Sequence, residues 1–396
     1  MNEKSIMGSN VAAVYEGKVE SALISGDLEM TIGAEGILLD SHRNSIFVSY
    51  DSITAISRQD HVILLETRIT VLKITKLGLA EEEFFQQLCA TFTERVQAAF
   101  RPETPLLMEL ENISYSYGDC EGQATLRVFS DSILLLPPNL DARRLPFAFV
   151  SDFRAEKQRM TLSLKTGDQY SFFGPGHDFA SLKEQLGEAL RKLQADQEEL
   201  LVKLDPELTR SQARRAVRLI PEGTAVLLSD LRAVVPTTAA HLEKMLSVCP
   251  LADYHAALQE ITDVSGLAVA YKYMLARAKG SAGAEWALWA VLPAKDGRKA
   301  VLELCFPREK AATYVFETRG DYRRFLMTLN QAFEATSYRR QLLYLTKPDL
   351  HLKENAEIRM LVERTPALQE LHKSFVGLIN HHTVDSWHKN LQSMLR

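Results

Sequence analysis

Residues 81–96, EEEFFQQLCATFTERV, carry a spacing of apolar side chains that recurs twice further along the chain. The later copies are GHDFASLKEQLGEALRKL at 176–193 and GDYRRFLMTLNQAFEA at 320–335. In each copy, four large apolar residues stand at relative positions 0, 3, 7 and 11, which places them on one face of an α-helix. They are Phe85, Leu88, Phe92 and Val96, then Phe179, Leu182, Leu186 and Leu190, then Tyr322, Phe325, Leu329 and Phe333. We therefore predict three amphipathic helices, each of which buries this face against its own domain.

Segments typical of β-strands precede each predicted helix. Before the first helix, runs such as HVILLET (61–67) are rich in β-branched or alternating apolar residues and are separated by Gly, Asp, Asn and Ser. The runs before the second helix align with them. Ile37, Leu38 and Leu39 correspond to Ile133, Leu134 and Leu135, and Tyr50, Ile53 and Ile56 correspond to Phe147, Val150 and Phe153. Several short antiparallel strands followed by one helix predict an α+β unit of about 100 residues.

Proline-containing breaks set the predicted domain boundaries. RPETP (101–105) separates the first two units, and the pair Asp205–Pro206 is suited to starting a new helix. The predicted domains are 1–101, 106–203, a divergent α+β module at 204–347, and a helical tail at 348–396. The third module has four strand-like runs before its helix, but its residues 221–263 depart from the repeat.

The order of these elements resembles the pleckstrin-homology (PH) and GRAM-like superfold. The resemblance rests on a polar hairpin after GILLD (36–40), the YDSI segment (50–53), two further strands and a closing helix. It covers residues 15–100 and 106–203 well and residues 224–345 loosely. It implies an α+β protein of tandem PH-like modules, each an antiparallel β-sandwich or barrel capped by a C-terminal helix, with a helical C-terminal tail. Such modules occur in membrane-binding proteins, adaptors and histone-chaperone subunits, so the resemblance implies binding rather than catalysis.

Lipid recognition by this superfold usually involves basic residues in the first hairpin, where phosphates accept charge-assisted hydrogen bonds. The corresponding loops here, SGD (25–27) and GDCEG (118–122), are acidic. A weaker basic patch is available in the second module from Arg143, Arg144, Arg154, Lys157 and Arg159, although scattered arginines in strands are usually solvated.

Composition limits the class of protein. With 396 residues, of which 46% are hydrophobic and 24% charged, the chain is expected to fold into two or three globular domains. The net charge of -5 gives no global attraction to nucleic acid or anionic lipid. Four cysteines without CxxC spacing, no secretory signal and no apolar run of about 20 residues predict a cytoplasmic protein without a transmembrane segment.

The sequence contains none of the common catalytic or phosphate-binding motifs, such as GxxxxGK[ST], GxSxG and HExxH. We therefore expect a protein that is not an enzyme and needs no cofactor. The nearest metal-site candidate is His381, Asp385 and His388, which would share one face if the tail were helical from His381 onward. Surface polar residues are the favoured interpretation, so no metal is expected.

Two groups of residues are candidates for partner binding. Arg210, Arg214 and Arg218 recur every four residues beside Arg215, forming a basic stripe suited to gripping phosphate or an acidic partner. A solvated face, or intramolecular pairing with Asp196, Glu198 and Glu199, is the favoured interpretation. Trp286 and Trp289 stand on opposite faces of a predicted strand, so one is expected in the core and the other free to make contacts.

These observations favour a non-catalytic intracellular scaffold or adaptor that recognises a protein partner through its PH-like modules. The first alternative is peripheral binding to anionic lipid. The second is chaperoning of a basic partner, or binding of nucleic acid, which the net charge disfavours.

Overall fold

The computed structural model describes residues 13–41, 44–248, 252–275, 284–305 and 311–396. The chain forms two compact units. Unit 1 contains Met1–Gly187 and Lys347–Thr365, and unit 2 contains Glu188–Thr346 and Pro366–Arg396. The predicted α+β class is confirmed, because three antiparallel sheets combine with helices in these units.

The first module of unit 1 is a seven-stranded antiparallel sheet followed by a long helix. Its elements are β1 (Val14–Glu20), β2 (Ser25–Ile32), β3 (Gly36–Asp40), β4 (Ser45–Ser49), β5 (Ile53–Gln59), β6 (Val62–Thr67), β7 (Val71–Thr75) and α1 (Glu81–Phe100). Hydrogen bonds order the strands β4-β3-β2-β1-β7-β6-β5, so that β4 and β5 are the two ends of an open sheet. Alternation of buried and exposed residues along β6 and β7 shows why these runs form strands with one face on the core.

The second module repeats this arrangement. Its elements are β8 (Leu106–Tyr117), β9 (Cys120–Phe129), β10 (Ser132–Leu136), β11 (Arg143–Pro146), β12 (Val150–Glu156), β13 (Arg159–Leu164), β14 (Gln169–Phe173) and α2 (Phe179–Leu204). The strand order β11-β10-β9-β8-β14-β13-β12 matches that of the first module strand for strand. Both modules thus have the antiparallel strands and closing helix that the resemblance implies, but as open sheets rather than closed barrels.

The central residues of the predicted helix faces are buried, whereas Phe179, Leu190 and Tyr322 at the ends of the later two stripes are half-buried. In α1, Leu88, Phe92 and Val96 are buried as expected, whereas the first position of the stripe is Phe84 and not Phe85. Phe84 meets the ring of Tyr15 edge-on at 5.1 Å, and Phe92 lies 6.1 Å from the ring of Tyr50 in the same module. The first helix therefore packs on its own sheet.

Unit 2 is built around a six-stranded sheet with helices on both faces. Following the chain, its elements include α3 (Arg210–Leu219), β15 (Val226–Leu227), α4 (Leu228–Val234), α5 (Pro236–Val248), α6 (Ala252–Ile261), β16 (Ala268–Leu275), β17 (Ala284–Pro293), β18 (Lys299–Cys305), β19 (Ala312–Glu317) and α7 (Tyr322–Ala335). The strands run in chain order from β15 to β19, without the crossover that places β1 beside β7. The third module therefore differs in strand order from the first two modules.

The tail predicted as helical divides between the units. Within unit 1, α8 (Lys347–Leu350) and α9 (Ala356–Glu363) belong to the first body, and α9 packs on α1. Within unit 2, α10 (Pro366–Ser374), β20 (Phe375–Asn380) and α11 (Val384–Leu395) complete the second body. Because β20 pairs with β19 as the last strand of the sheet, the tail is not helical throughout.

None of the helices in the described part of the chain is both long enough and apolar enough to cross a bilayer.

Candidate functional site

Strands β5 and β12 are structural equivalents in the two modules. Each follows a short 3-10 turn, at Tyr50–Ser52 and Phe147–Phe149, and each has a register shift near its start. Each ends in a two-residue turn whose residues have positive φ, Asp60 and His61 in one and Lys157 and Gln158 in the other. A shift of 97 positions superposes these features, so Ile56 corresponds to Phe153.

The outer edge of β5 is occupied by a segment of the second module. The backbone N–H of Ile56 donates to the carbonyl oxygen of Pro138 at 2.8 Å, and Ala55 forms an antiparallel bridge with Asn139. Two consecutive prolines, Pro137 and Pro138, favour an extended backbone, which is the conformation that pairs with a strand edge. The chain therefore satisfies the free backbone groups of one sheet edge with its own extended segment.

The equivalent edge of β12 has no such occupant among the described residues. β12 pairs with β13 on one side and ends its sheet on the other. Glu156 and Arg159 flank the two-residue turn, so they form a hydrogen-bonded pair of the ladder between β12 and β13. Because the direction of the N–H groups alternates along a strand, those of Phe153 and Ala155 point away from β13. These two donors face the open edge, and the neighbouring side chains of Ser151, Arg154 and Glu156 are exposed.

A row of three carboxylates crosses the outer face of the first module. Glu16 lies directly opposite Glu29, and Glu29 lies directly opposite Asp40 on the next strand. These residues line a groove of about 630 Å³ together with Asp27 and Lys76. Like charges directly opposite one another destabilise a sheet, so a cationic group seated among these carboxylates would relieve their repulsion.

The predicted arginine stripe forms the exposed face of α3. Arg210, Arg214, Arg215 and Arg218 are all exposed, whereas the opposite face of the helix is buried. Arg214 pairs with Glu198 at 3.4 Å, so the predicted intramolecular pairing is present for one residue of the stripe. Pairs of like charge four residues apart each destabilise a helix by about 0.2–0.5 kcal/mol.

The two candidate tryptophans occupy opposite faces of β17, as predicted. Trp289 is 1% exposed and packs on Phe333 of α7 at 5.3 Å between ring centroids. Trp286 is half-buried and packs against Tyr271 and Tyr273 at 5.8 and 4.9 Å. Trp289 is thus the tryptophan expected in the core, and its side chain is not accessible to a partner.

The metal candidate is not supported, because His381 lies before the helix. α11 begins at Val384, so His381 does not share a helical face with Asp385 and His388. Within the described parts of the chain, no group of three or more His, Cys, Asp or Glu side chains is arranged to hold a metal ion.

His381 instead belongs to a buried polar cluster in unit 2. Its Nε2 lies 3.1 Å from Oε1 of Glu303 and 2.9 Å from the hydroxyl of Thr313. That hydroxyl donates to Oε2 of Glu303 at 2.5 Å and accepts from the indole N–H of Trp387 at 2.7 Å. Tyr254 stacks on the imidazole at 4.0 Å, and burial raises the pKa of Glu303 although His381 and Thr313 oppose the shift. The cluster is enclosed, which suits a structural role.

Four of the five basic residues considered for lipid binding make contacts within the second module, and the fifth, Lys157, is exposed. Arg143 donates to the carbonyl oxygens of Leu140 and Ala142, and Arg144 pairs with Asp131 at 3.3 Å. Arg154 pairs with Asp152 at 2.7 Å, and Arg159 donates to the hydroxyl of Ser171. This distribution does not form a concentrated phosphate site.

Comparisons with known proteins give little further information. No protein-family model matches the chain, and no curated protein matches it. Among solved structures, 43 chains match, including one described as "Structure of the Spt16D Pob3N heterodimer". That match has 10% sequence identity, covers 43% of this chain and 99% of the other, and has a TM-score of 0.18. Because this score is far below that of a shared fold, the fold description rests on the strand order.

Proposed function

We propose that this protein is a non-catalytic scaffold that recognises an extended segment of a protein partner at the outer edge of β12. The observation that supports the proposal is the difference between two equivalent edges. β5 pairs with residues 138 and 139 of the same chain, while β12 retains outward N–H groups at Phe153 and Ala155. A partner strand that adds to β12 would reproduce the arrangement already present on β5.

The composition of β12 suits a reversible binding edge. Unpaired edges promote aggregation, and charged side chains reduce that hazard. Arg154, Glu156 and Lys157 provide such charges without blocking the backbone, since no proline occurs between Val150 and Lys157. Each backbone hydrogen bond to a partner contributes a net stabilisation of about 0.5–1.5 kcal/mol. Two or three such bonds with side-chain contacts give an interaction suited to an adaptor.

The proposal is tested by removing one outward donor. Ala155→Pro eliminates the N–H that points away from β13 and leaves the ladder to β13 intact, because proline is tolerated on the open side of an edge strand. Ala155→Val is the matched control, since it keeps the backbone N–H of residue 155 and valine has a volume similar to that of proline. We expect the wild type and Ala155→Val to recover the same stoichiometric partner from cells, and Ala155→Pro to lose it while melting within a few degrees of the wild type.

Two results would contradict the proposal. One is equal recovery of the partner by the proline and valine variants. The other is protection of the Phe153 and Ala155 amides in the isolated protein, because an edge that is already covered cannot receive a partner strand.

A second candidate function is the binding of a basic partner at the carboxylate row of the first module. It is favoured by the register of Glu16, Glu29 and Asp40 across three strands. The variant Glu16→Gln/Glu29→Gln/Asp40→Asn is expected to lose at least tenfold in affinity for a lysine-rich dodecapeptide. The control Glu188→Gln/Asp196→Asn/Glu199→Gln removes the same charge from exposed positions of α2. Equal loss in both variants would show a general charge effect and reject this candidate.

A further inference from the structure

We propose that the arginine face of α3 is a docking surface for an acidic segment of a partner protein. The surface consists of Arg210, Arg214, Arg215 and Arg218, all exposed to solvent. It is independent of the edge of β12, which belongs to unit 1, whereas α3 belongs to unit 2.

Packing fixes the direction in which the arginines point. Ala213, Ala216 and Val217 occupy the opposite side of α3 and are buried, with Ala216 and Val217 in the main core of unit 2. A capping box formed by Thr209 and Gln212 fixes the start of the helix, because each side chain bonds the backbone N–H of the other residue. The helix is therefore held in one orientation, and its basic side faces solvent.

The charge distribution in the first turns of α3 opposes helix stability, although Arg218 in the last turn is well placed for the helix dipole. A helix favours acidic residues in its first turn and basic residues in its last, yet α3 begins with Arg210 and has no acid in its first turn. Arg210 and Arg218 each lie four residues from Arg214, so the stripe also brings like charges together. Glu198, which pairs with Arg214, also accepts a hydrogen bond from Gln194 at 2.9 Å. Among the described residues, Glu198 is the one carboxylate that pairs with the stripe. One shared carboxylate cannot balance four guanidinium groups, so an anionic partner would relieve the repulsion.

The surroundings of the arginines favour an acidic protein segment over nucleic acid or a membrane. All four cations are arginines, whose planar forks bind carboxylates and phosphates alike through two parallel hydrogen bonds. No aromatic residue occurs between Arg210 and Leu219, so the face offers no platform for stacking nucleic-acid bases. The apolar side of α3 is buried in the core and cannot enter a membrane.

The test measures binding of the full chain to a labelled dodecapeptide of sequence (Glu-Glu-Ser)4 by fluorescence anisotropy. The variant Arg210→Gln/Arg215→Gln/Arg218→Gln leaves the Arg214–Glu198 pair in place. The control Lys244→Gln/Arg298→Gln/Arg324→Gln removes three exposed cations from elsewhere in unit 2. We expect the α3 variant to lose at least tenfold in affinity and the control to change by less than twofold. Replacing the same three arginines by lysine should give an intermediate loss, because the charge remains and the fork is removed.

A 12-nucleotide single-stranded RNA and phosphatidylserine vesicles distinguish other anionic partners. Binding of either probe as tightly as the peptide, with the same dependence on the α3 arginines, would overturn the assignment to a protein partner. Absence of peptide binding, or equal losses in the α3 variant and the control, would also overturn it. Because Ala155→Pro leaves α3 unchanged, this variant should bind the peptide like the wild type. Failure of the β12 proposal is therefore distinguishable from failure of the α3 proposal.

Discussion

Glu303 is 4% exposed on β18, and its carboxylate meets the imidazole of His381 and the hydroxyl of Thr313. Burial holds the pKa of Glu303 above its usual value of 4.5, so the folded chain retains this proton to a higher pH than the unfolded chain does. The stability due to this proton is complete below about pH 4.5 and is lost as the pH rises through the folded pKa.

Glu303→Gln is therefore expected to unfold at higher urea concentration than the wild type near pH 7, and the advantage should shrink toward pH 4.5. All three tryptophans lie in unit 2, so tryptophan fluorescence follows the unfolding of the unit that contains Glu303. Glu317→Gln, at an exposed position of the neighbouring strand β19, is the control for the loss of one carboxylate from the same sheet. A Glu303→Gln advantage that grew toward acid would contradict the assigned direction.

Asp51 and Arg359 form a second buried pair, this time within unit 1. Arg359 also donates to the carbonyl oxygen of Leu350 at 2.9 Å. Breaking a buried pair by removing one partner costs about 3–5 kcal/mol, so Asp51→Ala and Arg359→Ala should each destabilise unit 1 by about this amount. The double variant should be less destabilised than the sum, as measured by denaturant unfolding followed by circular dichroism.

The partly exposed pair of Arg68 and Glu363 provides the comparison. Exposed pairs contribute about 0–1 kcal/mol, so Arg68→Ala should have a small effect on the same measurement. Equal effects of Arg68→Ala and Arg359→Ala would show that burial does not govern these contacts.

Among the elements, α1 shows what local sequence determines and where it falls short. The 3.6-residue period correctly places Leu88, Phe92 and Val96 in the core. It does not decide between the adjacent residues Phe84 and Phe85, because that choice depends on Tyr15 in a distant strand. Phe85 instead lies under the guanidinium of Arg58 at 4.6 Å.

This difference gives a prediction for α1. Phe84→Ala should destabilise unit 1 by about 3–5 kcal/mol, because a fully buried aromatic side chain leaves a cavity. Phe85→Ala should cost only about 1–2 kcal/mol, because its ring is partly exposed. Thermal unfolding followed by circular dichroism distinguishes the two variants. A larger effect of Phe85→Ala would show that Phe85, and not Phe84, is the core residue of α1.

The helices of the tail follow from the local sequence pattern, but the burial of Arg364 and the strand at Phe375–Asn380 do not. Arg364 is 1% exposed and lies over the ring of Phe92 at 5.6 Å, although arginine is ordinarily a surface residue. Phe375–Asn380 is a short run whose role as a strand depends on β19, which lies about 60 residues earlier. Both outcomes depend on contacts between distant parts of the sequence, which periodicity alone does not contain.

At the scale of the whole molecule, the repeat is evident from the sequence, but the difference between the equivalent edges of β5 and β12 is not. The alignment of Ile56 with Phe153 identifies equivalent strands, whereas only the fold shows that Pro138 reaches the edge of β5. The Pro137-Pro138-Asn139 run was the available signal, since consecutive prolines favour an extended segment. The arginine stripe was visible directly, because four exposed charges within nine residues form a local pattern.

Residue-resolved amide hydrogen exchange on the isolated full chain compares the two edges most directly. The N–H of Ile56 is bonded to Pro138, whereas the equivalent N–H of Phe153 faces an open edge. Ile56 should therefore exchange at least about tenfold more slowly than Phe153 after correction for intrinsic rates. Equal protection of the two amides would mean that the edge of β12 is already covered, and would contradict its role as a partner-binding site.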